Sequence, residues 1–217
     1  EQLESLLIDT RKYRKWQELP LYERCNIINK FRKNLVKRMD EVIDTLSLEN
    51  GKKEFESTME VFITLEHMKQ SAFLASEYLK TQRRKVGLLK TKKAYVHYFP
   101  HGISGIISPW NYPLILTANP VVESLLAGNN TILKPSEQTP LTARLLKDIW
   151  DNSSHYQDAF KLINGDGGIG RALVESEHTN IICFTGSTAI GKKIAISCAE
   201  RLKPVILELG GKDPMIV

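Results

Sequence analysis

The most informative part of the sequence runs from Gly102 to Glu137 and reads GISGIISPWNYPLILTANPVVESLLAGNNTILKPSE. Ile103 to Ser108 is short, apolar and rich in β-branched residues, which predicts a buried strand. The prolines in residues 108–113 (SPWNYP) force a turn, because proline fixes its own φ and restricts the residue before it. A helix then runs up to Gly128, a residue that suits the C′ position, and Asn130 to Lys134 forms a second apolar strand. The pattern predicts one βαβ unit.

Three polar side chains follow the two strands of this unit. Asn111 comes after the first strand, and Lys134 and Glu137 lie at the end of the second. In open parallel sheets, ligands bind at the carboxyl edge of the strands. We therefore expect an amide, an ammonium and a carboxylate to face a ligand at one edge of the sheet.

Strands and helices alternate regularly after Pro100. Strands are predicted at about 103–107, 130–134, 160–163, 180–184 and 204–209, and helices at about 113–127, 140–151, 168–175 and 188–201. This alternation predicts an α/β fold with a doubly wound parallel sheet.

The first hundred residues are predicted to be mainly helical. Leu21 to Asn50 carries one apolar stripe, with a break at Met39-Asp40 where the aspartate would cap a second helix. A further helix covers Glu54 to Lys80. We expect its large apolar side chains to be buried: Phe55, Met59, Phe62, Phe73, Leu74 and Tyr78.

Residues Lys92 to Tyr98 alternate between apolar and polar side chains, which predicts a half-exposed strand. Residues Val86 to Leu89 precede it. The strand could form a hairpin within the chain or an arm that pairs with another chain.

The composition, with a formal net charge of +5 over 217 residues, is that of a soluble globular protein. No apolar run is long enough to cross a bilayer. Because the sequence begins at Glu1 rather than Met, we expect the true start to lie upstream. The cysteines lack disulfide or zinc spacing, which favours a reducing, cytoplasmic setting, and the histidines lack metal-ligand spacing. Residues 1–98 carry 20 basic against 14 acidic side chains. Because the two signs are interleaved, we interpret this half as solvated helical faces and expect no nucleic-acid partner.

Two further motifs follow predicted strands. Residues 184–191 (FTGSTAIG) open a helix, so backbone N–H groups and the Ser187 hydroxyl could hold a pyrophosphate, and the Gly165–Gly170 loop offers a second close backbone approach. Both could equally be ordinary strand-to-helix turns. Glu208, at the end of an apolar strand and beside two glycines, is a candidate general base, with an ion pair to Lys212 as the alternative.

Four motifs in this order, SPWNYP, LKPSE, FTGSTAIG and LELGGKDP, closely resemble the aldehyde dehydrogenase superfamily over about residues 21–217. The resemblance implies a Rossmann-like NAD(P)-binding domain, an aldehyde substrate and a homo-oligomer, either dimer or tetramer. It implies that NAD is the cofactor, with NADP as the alternative, since a carboxylate at Glu137 repels a 2′-phosphate.

The resemblance also implies roles for individual residues. Asn111 would donate its amide to an oxyanion, and Glu208 would activate the water that hydrolyses a thioester. Leu116 and Asn119 are expected to face the substrate tunnel. The implied cofactor-binding residues are Ser108, Pro109, Trp110, Lys134, Glu137, Gly167, Gly186, Ser187, Ile190, Leu209 and Gly210.

Within that set, the resemblance divides the cofactor among several positions. Lys134 and Glu137 would hold the adenine ribose, and Trp110, Gly186 and Ser187 the pyrophosphate. The remaining positions would line the ribose path (Ser108, Pro109), flank the adenine (Gly167, Ile190) and border the nicotinamide (Leu209, Gly210).

The family's nucleophilic cysteine lies a few tens of residues beyond the LELGGK motif, and none of Cys25, Cys183 and Cys198 matches its place. All three are expected to point away from Asn111 and Glu208. The chain is therefore predicted to be the cofactor half of a longer enzyme and inactive alone. Its expected parts are an N-terminal helical part of the cofactor domain (1–82), an oligomerisation arm (83–99) and a Rossmann-like core (100–217), with the catalytic domain absent.

These observations favour NAD(P)-dependent oxidation of an aldehyde to a carboxylic acid through a cysteine thioester. One alternative is an acylating, coenzyme-A-dependent dehydrogenase, which has no need of a hydrolytic base and is therefore disfavoured by Glu208. The other is a non-catalytic module that binds a nucleotide or a protein partner through its basic helical half.

Overall fold

The computed structural model describes residues 2–88, 90–212 and 214–216. Leu89, in the segment before the predicted strand, and Asp213, in the last of the four motifs, lie outside the described residues, as do Glu1 and Val217.

The N-terminal part of the described chain is helical. Its helices are α1 (Gln2–Lys12), α2 (Leu21–Lys37), α3 (Met39–Asn50) and α4 (Glu54–Tyr78). Sequence reasoning did not find α1, which buries Leu3 and Leu7 against one face of the sheet. The predicted cap at Asp40 is wrong: α2 and α3 are separated at Arg38, so Asp40 lies inside the first turn of α3, where its charge still suits the helix dipole.

A short antiparallel hairpin follows the helices. Its strands, β1 (Gln82–Arg84) and β2 (Ala94–Val96), pair with Arg83 opposite Tyr95. The hairpin interpretation of the alternating segment is therefore confirmed, although the strand is shorter than expected. Pairing of this segment with another chain stays a prediction.

The rest of the chain is the predicted doubly wound parallel sheet. Its strands are β3 (Ile103–Ile107), β4 (Asn130–Lys134), β5 (Phe160–Leu162), β6 (Ile181–Gly186) and β7 (Val205–Leu209), in the spatial order β5-β4-β3-β6-β7. The connecting helices are α5 (Ile115–Leu126), α6 (Pro140–Asp151), α7 (Gly167–Glu175) and α8 (Thr188–Glu200). Gly128 takes φ +91° just after α5, which confirms its predicted place at the helix end.

The two faces of the sheet have separate cores because side chains alternate along each strand. One face packs against α2 to α6 in the largest apolar cluster, and the other packs against α1, α7 and α8. Trp150 is fully buried at the centre of the first core. Its ring makes edge-on contacts with Trp16, Phe31 and Phe160 at centroid distances of 5.6, 5.5 and 6.3 Å. These contacts fasten α2 and α6 to the sheet.

The prediction of which face of α4 is buried is wrong. The six side chains expected in the core are exposed, from 37% for Leu74 to 75% for Phe55, and the others are Met59, Phe62, Phe73 and Tyr78. The face that is buried instead carries mainly small or mid-sized side chains: Ser57, Glu60, Val61, Thr64, Leu65, Met68, Ala72 and Ala75. Because α4 packs against α2, α3 and α5, its inner face requires side chains that permit close approach, and the large ones are left outside.

This orientation predicts a large loss of stability for one large-to-small substitution on α4 and a small loss for another. Met68→Ala removes a fully buried side chain and should lower the free energy of unfolding by about 2–5 kcal/mol. Phe62→Ala, at a side chain that is 58% exposed, should change it by about 0.5 kcal/mol or less. Urea unfolding of the two variants measures both values, and a Phe62→Ala cost equal to that of Met68→Ala would contradict the orientation.

Candidate functional site

The candidate site lies where the order of the strands reverses. The chain passes from β3 outward through β4 to β5, and then returns to place β6 on the other side of β3. Ile107 pairs with both Lys134 and Phe184, so the turns after β3, β4 and β6 emerge side by side. A crevice at such a reversal is the usual ligand site of an open α/β sheet.

Two cavities open at this edge, one on each face of the sheet. The cavity on the α7 and α8 face, of about 750 Å³, is called here the lysine groove. It is lined by nine of the predicted cofactor residues, Ser108, Pro109, Trp110, Lys134, Glu137, Gly167, Gly186, Ser187 and Ile190. These residues come from four separate turns, and the fold brings them together around one cavity.

Lys134 is the most deeply buried of the charged residues that line the lysine groove. The residue is 4% exposed, and its Nζ donates to the Pro135 carbonyl at 3.0 Å and to Glu137 Oε2 at 3.1 Å. The backbone N–H of Glu137 and the Lys134 ammonium hold the pKa of the Glu137 carboxyl below its usual range. The result is a fixed donor beside a charged acceptor, a pair suited to the two hydroxyls of a ribose.

The N-termini of α7 and α8 differ in whether an anion could approach them. Asp166 caps α7, accepting hydrogen bonds from Gly168 N at 2.9 Å and Ile169 N at 3.4 Å, and so places a carboxylate at the glycine-rich loop. Ser187 caps α8 with a neutral hydroxyl that accepts from Ile190 N at 3.4 Å. A pyrophosphate therefore fits α8 better than α7. Together with the Lys134–Glu137 pair, this chemistry fits a dinucleotide cofactor.

The cavity on the α5 face, of about 1020 Å³, is called here the asparagine cavity. It is lined by Asn111, Glu208, Leu209 and Gly210, and by Leu116 and Asn119 on α5. Asn111 and Glu208 are both exposed within it. The two residues predicted to carry the chemistry thus face one space, together with the two predicted to border the nicotinamide.

The two cavities share a wall. Pro109, Trp110, Thr185, Gly186 and Ser187 line both the lysine groove and the asparagine cavity. A ligand held by one end in the groove could therefore pass along this wall and present its other end in the asparagine cavity. Such a passage suits a long two-ended molecule such as a dinucleotide.

The Ser108 side chain is less available to a ligand than the resemblance implied. Its hydroxyl is 2.7 Å from Thr117 Oγ1, and the residue is 4% exposed. Its backbone N donates to the Lys134 carbonyl at 3.2 Å, which ties the turn after β3 to the end of β4.

Several residues near the site were missed by sequence reasoning. Arg171 and Lys193 add positive charge to the wall of the lysine groove. Asn50, Lys52 and Glu60, from the α3–α4 segment, contact the turn that carries Asn111. The signal for Glu60 was available, because this carboxylate lies at helical spacing from Ser57, Thr64 and Met68 on a face that is otherwise uncharged. Within the described residues, no group of side chains suited to a metal ion occurs, and no helix is long and apolar enough to span a membrane.

The expected orientation of Cys183 is wrong. It lines the asparagine cavity, in the same space as Asn111 and Glu208, because its alternation on β6 places it on the α5 face. Burial, with smaller contributions from the Glu123 and Glu208 charges, raises the pKa of the Cys183 thiol to about 11. A thiol with that pKa is protonated at neutral pH and is a poor nucleophile, so its position alone does not make it the nucleophile.

Alkylation rates test this view of Cys183. In the chain carrying Cys25→Ser and Cys198→Ser, the iodoacetamide rate at Cys183 should rise about tenfold per pH unit between about pH 7 and 10, since only the thiolate reacts. Mass spectrometry of the modified peptide gives the rate. A plateau below about pH 9 would show an activated thiol and contradict the raised pKa.

Comparisons with known proteins identify the family of this chain. Residues 8–217 match the model of the aldehyde dehydrogenase family. The chain is 35% identical, over 94% of its length, to a protein named putative succinate-semialdehyde dehydrogenase (NADP⁺) from Mycolicibacterium smegmatis. It is 34% identical over its whole length to a "Probable coniferyl aldehyde dehydrogenase" from Pseudomonas aeruginosa.

A solved structure shares the fold. The crystal structure of an NAD-dependent aldehyde dehydrogenase from Sinorhizobium meliloti superposes with a TM-score of 0.92 at 28% identity, over 98% of this chain and 43% of that one. The chain spans 39% and 46% of the lengths of the two curated relatives. The match to the family model and the two identities above 30% establish that this chain belongs to the aldehyde dehydrogenase family.

Proposed function

We propose that this chain is the cofactor-binding part of an NAD(P)-dependent enzyme that oxidises an aldehyde to a carboxylic acid. The observation that carries the proposal is the common wall between the two cavities. It connects the Lys134–Glu137 pair, which suits a ribose, to the space that holds Asn111 and Glu208.

The cofactor would lie along this wall. Lys134 and Glu137 would bind the adenine ribose hydroxyls. The N-terminus of α8, with Ser187 and the neighbouring Trp110, would receive the pyrophosphate. Leu209 and Gly210 border the nicotinamide, which would reach the asparagine cavity. When bound, this cofactor supplies the hydride acceptor for the oxidation.

Asn111 and Glu208 carry the parts of the reaction that this chain contributes. Addition of a thiolate to an aldehyde carbon places negative charge on the oxygen, and the Asn111 amide donates an N–H to it without giving up a proton. After oxidation to a thioester, the Glu208 carboxylate accepts a proton from the attacking water. The thiolate would come from the family's nucleophilic cysteine, whose place none of Cys25, Cys183 and Cys198 matches, and we expect the 217 residues alone to be inactive.

Glu208 favours hydrolysis over transfer to coenzyme A. A carboxylate that lines the cavity holding the oxyanion amide can deprotonate water there, a step that an acylating dehydrogenase does not need. The proposal includes a cytoplasmic, homo-oligomeric enzyme. The relatives named above include one NAD-dependent and one NADP⁺ protein, so the family accommodates either cofactor.

Cofactor preference should depend on Glu137. Because its pKa is lowered, the carboxylate is charged at neutral pH and repels a 2′-phosphate. The full-length enzyme should therefore have a higher kcat/KM with NAD than with NADP, and Glu137→Gln should narrow the difference. Steady-state kinetics with both cofactors measures the ratio, and Glu177→Gln, an exposed carboxylate outside both cavities, is the control. Equal values for NAD and NADP in the unmutated enzyme would refute the preference.

The Asn111 amide should matter in the transition state only. Asn111→Ala in the full-length enzyme should lower kcat by about 10²–10³-fold, with the Kd for NAD nearly unchanged. Stopped-flow measurement of NADH formation gives kcat, and Asn164→Ala, an exposed asparagine outside both cavities, is the matched control. Near-normal kcat in Asn111→Ala would show that this residue only shapes the turn.

A further inference from the structure

We propose that Glu60 is a positioning residue for the reaction: a buried carboxylate on α4 that holds the turn carrying the Asn111 amide. This inference rests on the proposed function, since it assigns to Glu60 the placement of an oxyanion donor. Glu60 does not line the asparagine cavity and would act only through the turn.

Both carboxylate oxygens of Glu60 are engaged. Oε1 accepts hydrogen bonds from Leu114 N at 2.8 Å and from Ile115 N at 3.1 Å, where α5 begins. Oε2 pairs with Lys52 Nζ at 2.5 Å. The Glu60 side chain is fully buried, and that of Lys52 is 12% exposed.

A charge at such a depth constrains its surroundings. Removing a carboxylate from water is unfavourable unless hydrogen bonds and an opposite charge replace the lost hydration. Here the replacements are the Lys52 ammonium and two N–H groups at the positive end of the α5 dipole. Any rotation of the first turn of α5 away from α4 would leave this charge unpaired, so the position of that turn is strongly determined.

Two more contacts from the same segment hold the residues on either side of Asn111. Asn50 Nδ2 donates to the Trp110 carbonyl at 2.7 Å, and Lys52 Nζ lies 3.9 Å from the centroid of the Tyr112 ring. Asn111 thus lies between two anchored neighbours, three residues before the Glu60 contacts. Its own side chain is exposed to the cavity, so the α3–α4 segment fixes its backbone and leaves its amide available.

The chain contains a matched carboxylate at the next helix. Glu49 accepts from Leu141 N and Thr142 N, with Oε2 2.9 Å from the latter, and so satisfies the N-terminus of α6 as Glu60 satisfies that of α5. Among the described residues, the Glu49 side chain makes its hydrogen bonds to Leu141 and Thr142 and none to the turn of residues 110–115. If Glu60 had only a structural role, removing either charge would affect stability alone.

The test uses the full-length enzyme and four variants: Glu60→Gln, Glu49→Gln, Asn111→Ala and the double variant Glu60→Gln/Asn111→Ala. Glu60→Gln should lower kcat roughly tenfold or more, because a small displacement of the amide weakens its bond to the oxyanion. Its Kd for NAD should stay within about twofold of the unmutated value, and Glu49→Gln should lower the Tm comparably with kcat unchanged within about twofold. In the Asn111→Ala background, Glu60→Gln should have almost no further effect on kcat, since both act through one group.

The outcomes separate this inference from the proposed function. If Asn111→Ala itself leaves kcat near normal, the oxyanion role fails and the inference fails with it. If Asn111→Ala is impaired but Glu60→Gln is not, or if the two losses multiply in the double variant, only the inference is overturned. Should Glu60→Gln fold poorly, Lys52→Met/Glu60→Gln removes both charges of the pair together, and the same loss of kcat, absent in the Asn111→Ala background, is required of it.

Discussion

The hydrogen bonds of β3 to a strand on each side position the turns that form the candidate site. This strand pairs with β4 on one side and with β6 on the other, and so joins β4 and β5 to β6 and β7. Because all its neighbours run parallel, the turns that follow β3, β4 and β6 emerge at one edge. The placement of Asn111, Lys134 and Ser187 around a common wall is a direct result of that register.

Helix N-termini are the second organising feature, and distant carboxylates satisfy two of them. Glu60 and Glu49 belong to the N-terminal helices but accept from the first N–H groups of α5 and α6, whereas Asp166 caps α7 locally. α8 is different, since a neutral Ser187 caps it. Among the N-termini of α5 to α8, the one without a carboxylate is that of α8 on the shared wall, where an anionic ligand is expected.

Electrostatics also separates the residues that share the asparagine cavity. Cys183 and Glu208 lie in the same space, yet burial raises the pKa of the thiol and keeps it protonated, while Glu208 is exposed at the end of its strand. Proximity to the candidate base therefore does not activate this cysteine. A cysteine thiol is activated by a cation or a helix N-terminus beside it, whereas the charges that act on Cys183 are the Glu123 and Glu208 carboxylates.

Local sequence patterns predict the order and type of the elements from Pro100 onward and the polar residues at their ends, because glycines, prolines and short β-branched runs act locally. The same local patterns placed several cavity residues at the ligand-binding edge, since parallel strands bring their carboxyl ends together: Asn111, Lys134, Glu137, Ser187 and Glu208. The family resemblance implied the other cofactor positions, and local patterns did not reveal Arg171 and Lys193. Three features could not be predicted from these patterns: which face of α4 is buried, which way Cys183 points, and what holds the Asn111 turn. Each of these depends on contacts between segments distant in sequence: α4 hides its small side chains because three helices approach it, and the Glu60 carboxylate is satisfied by N–H groups more than fifty residues away.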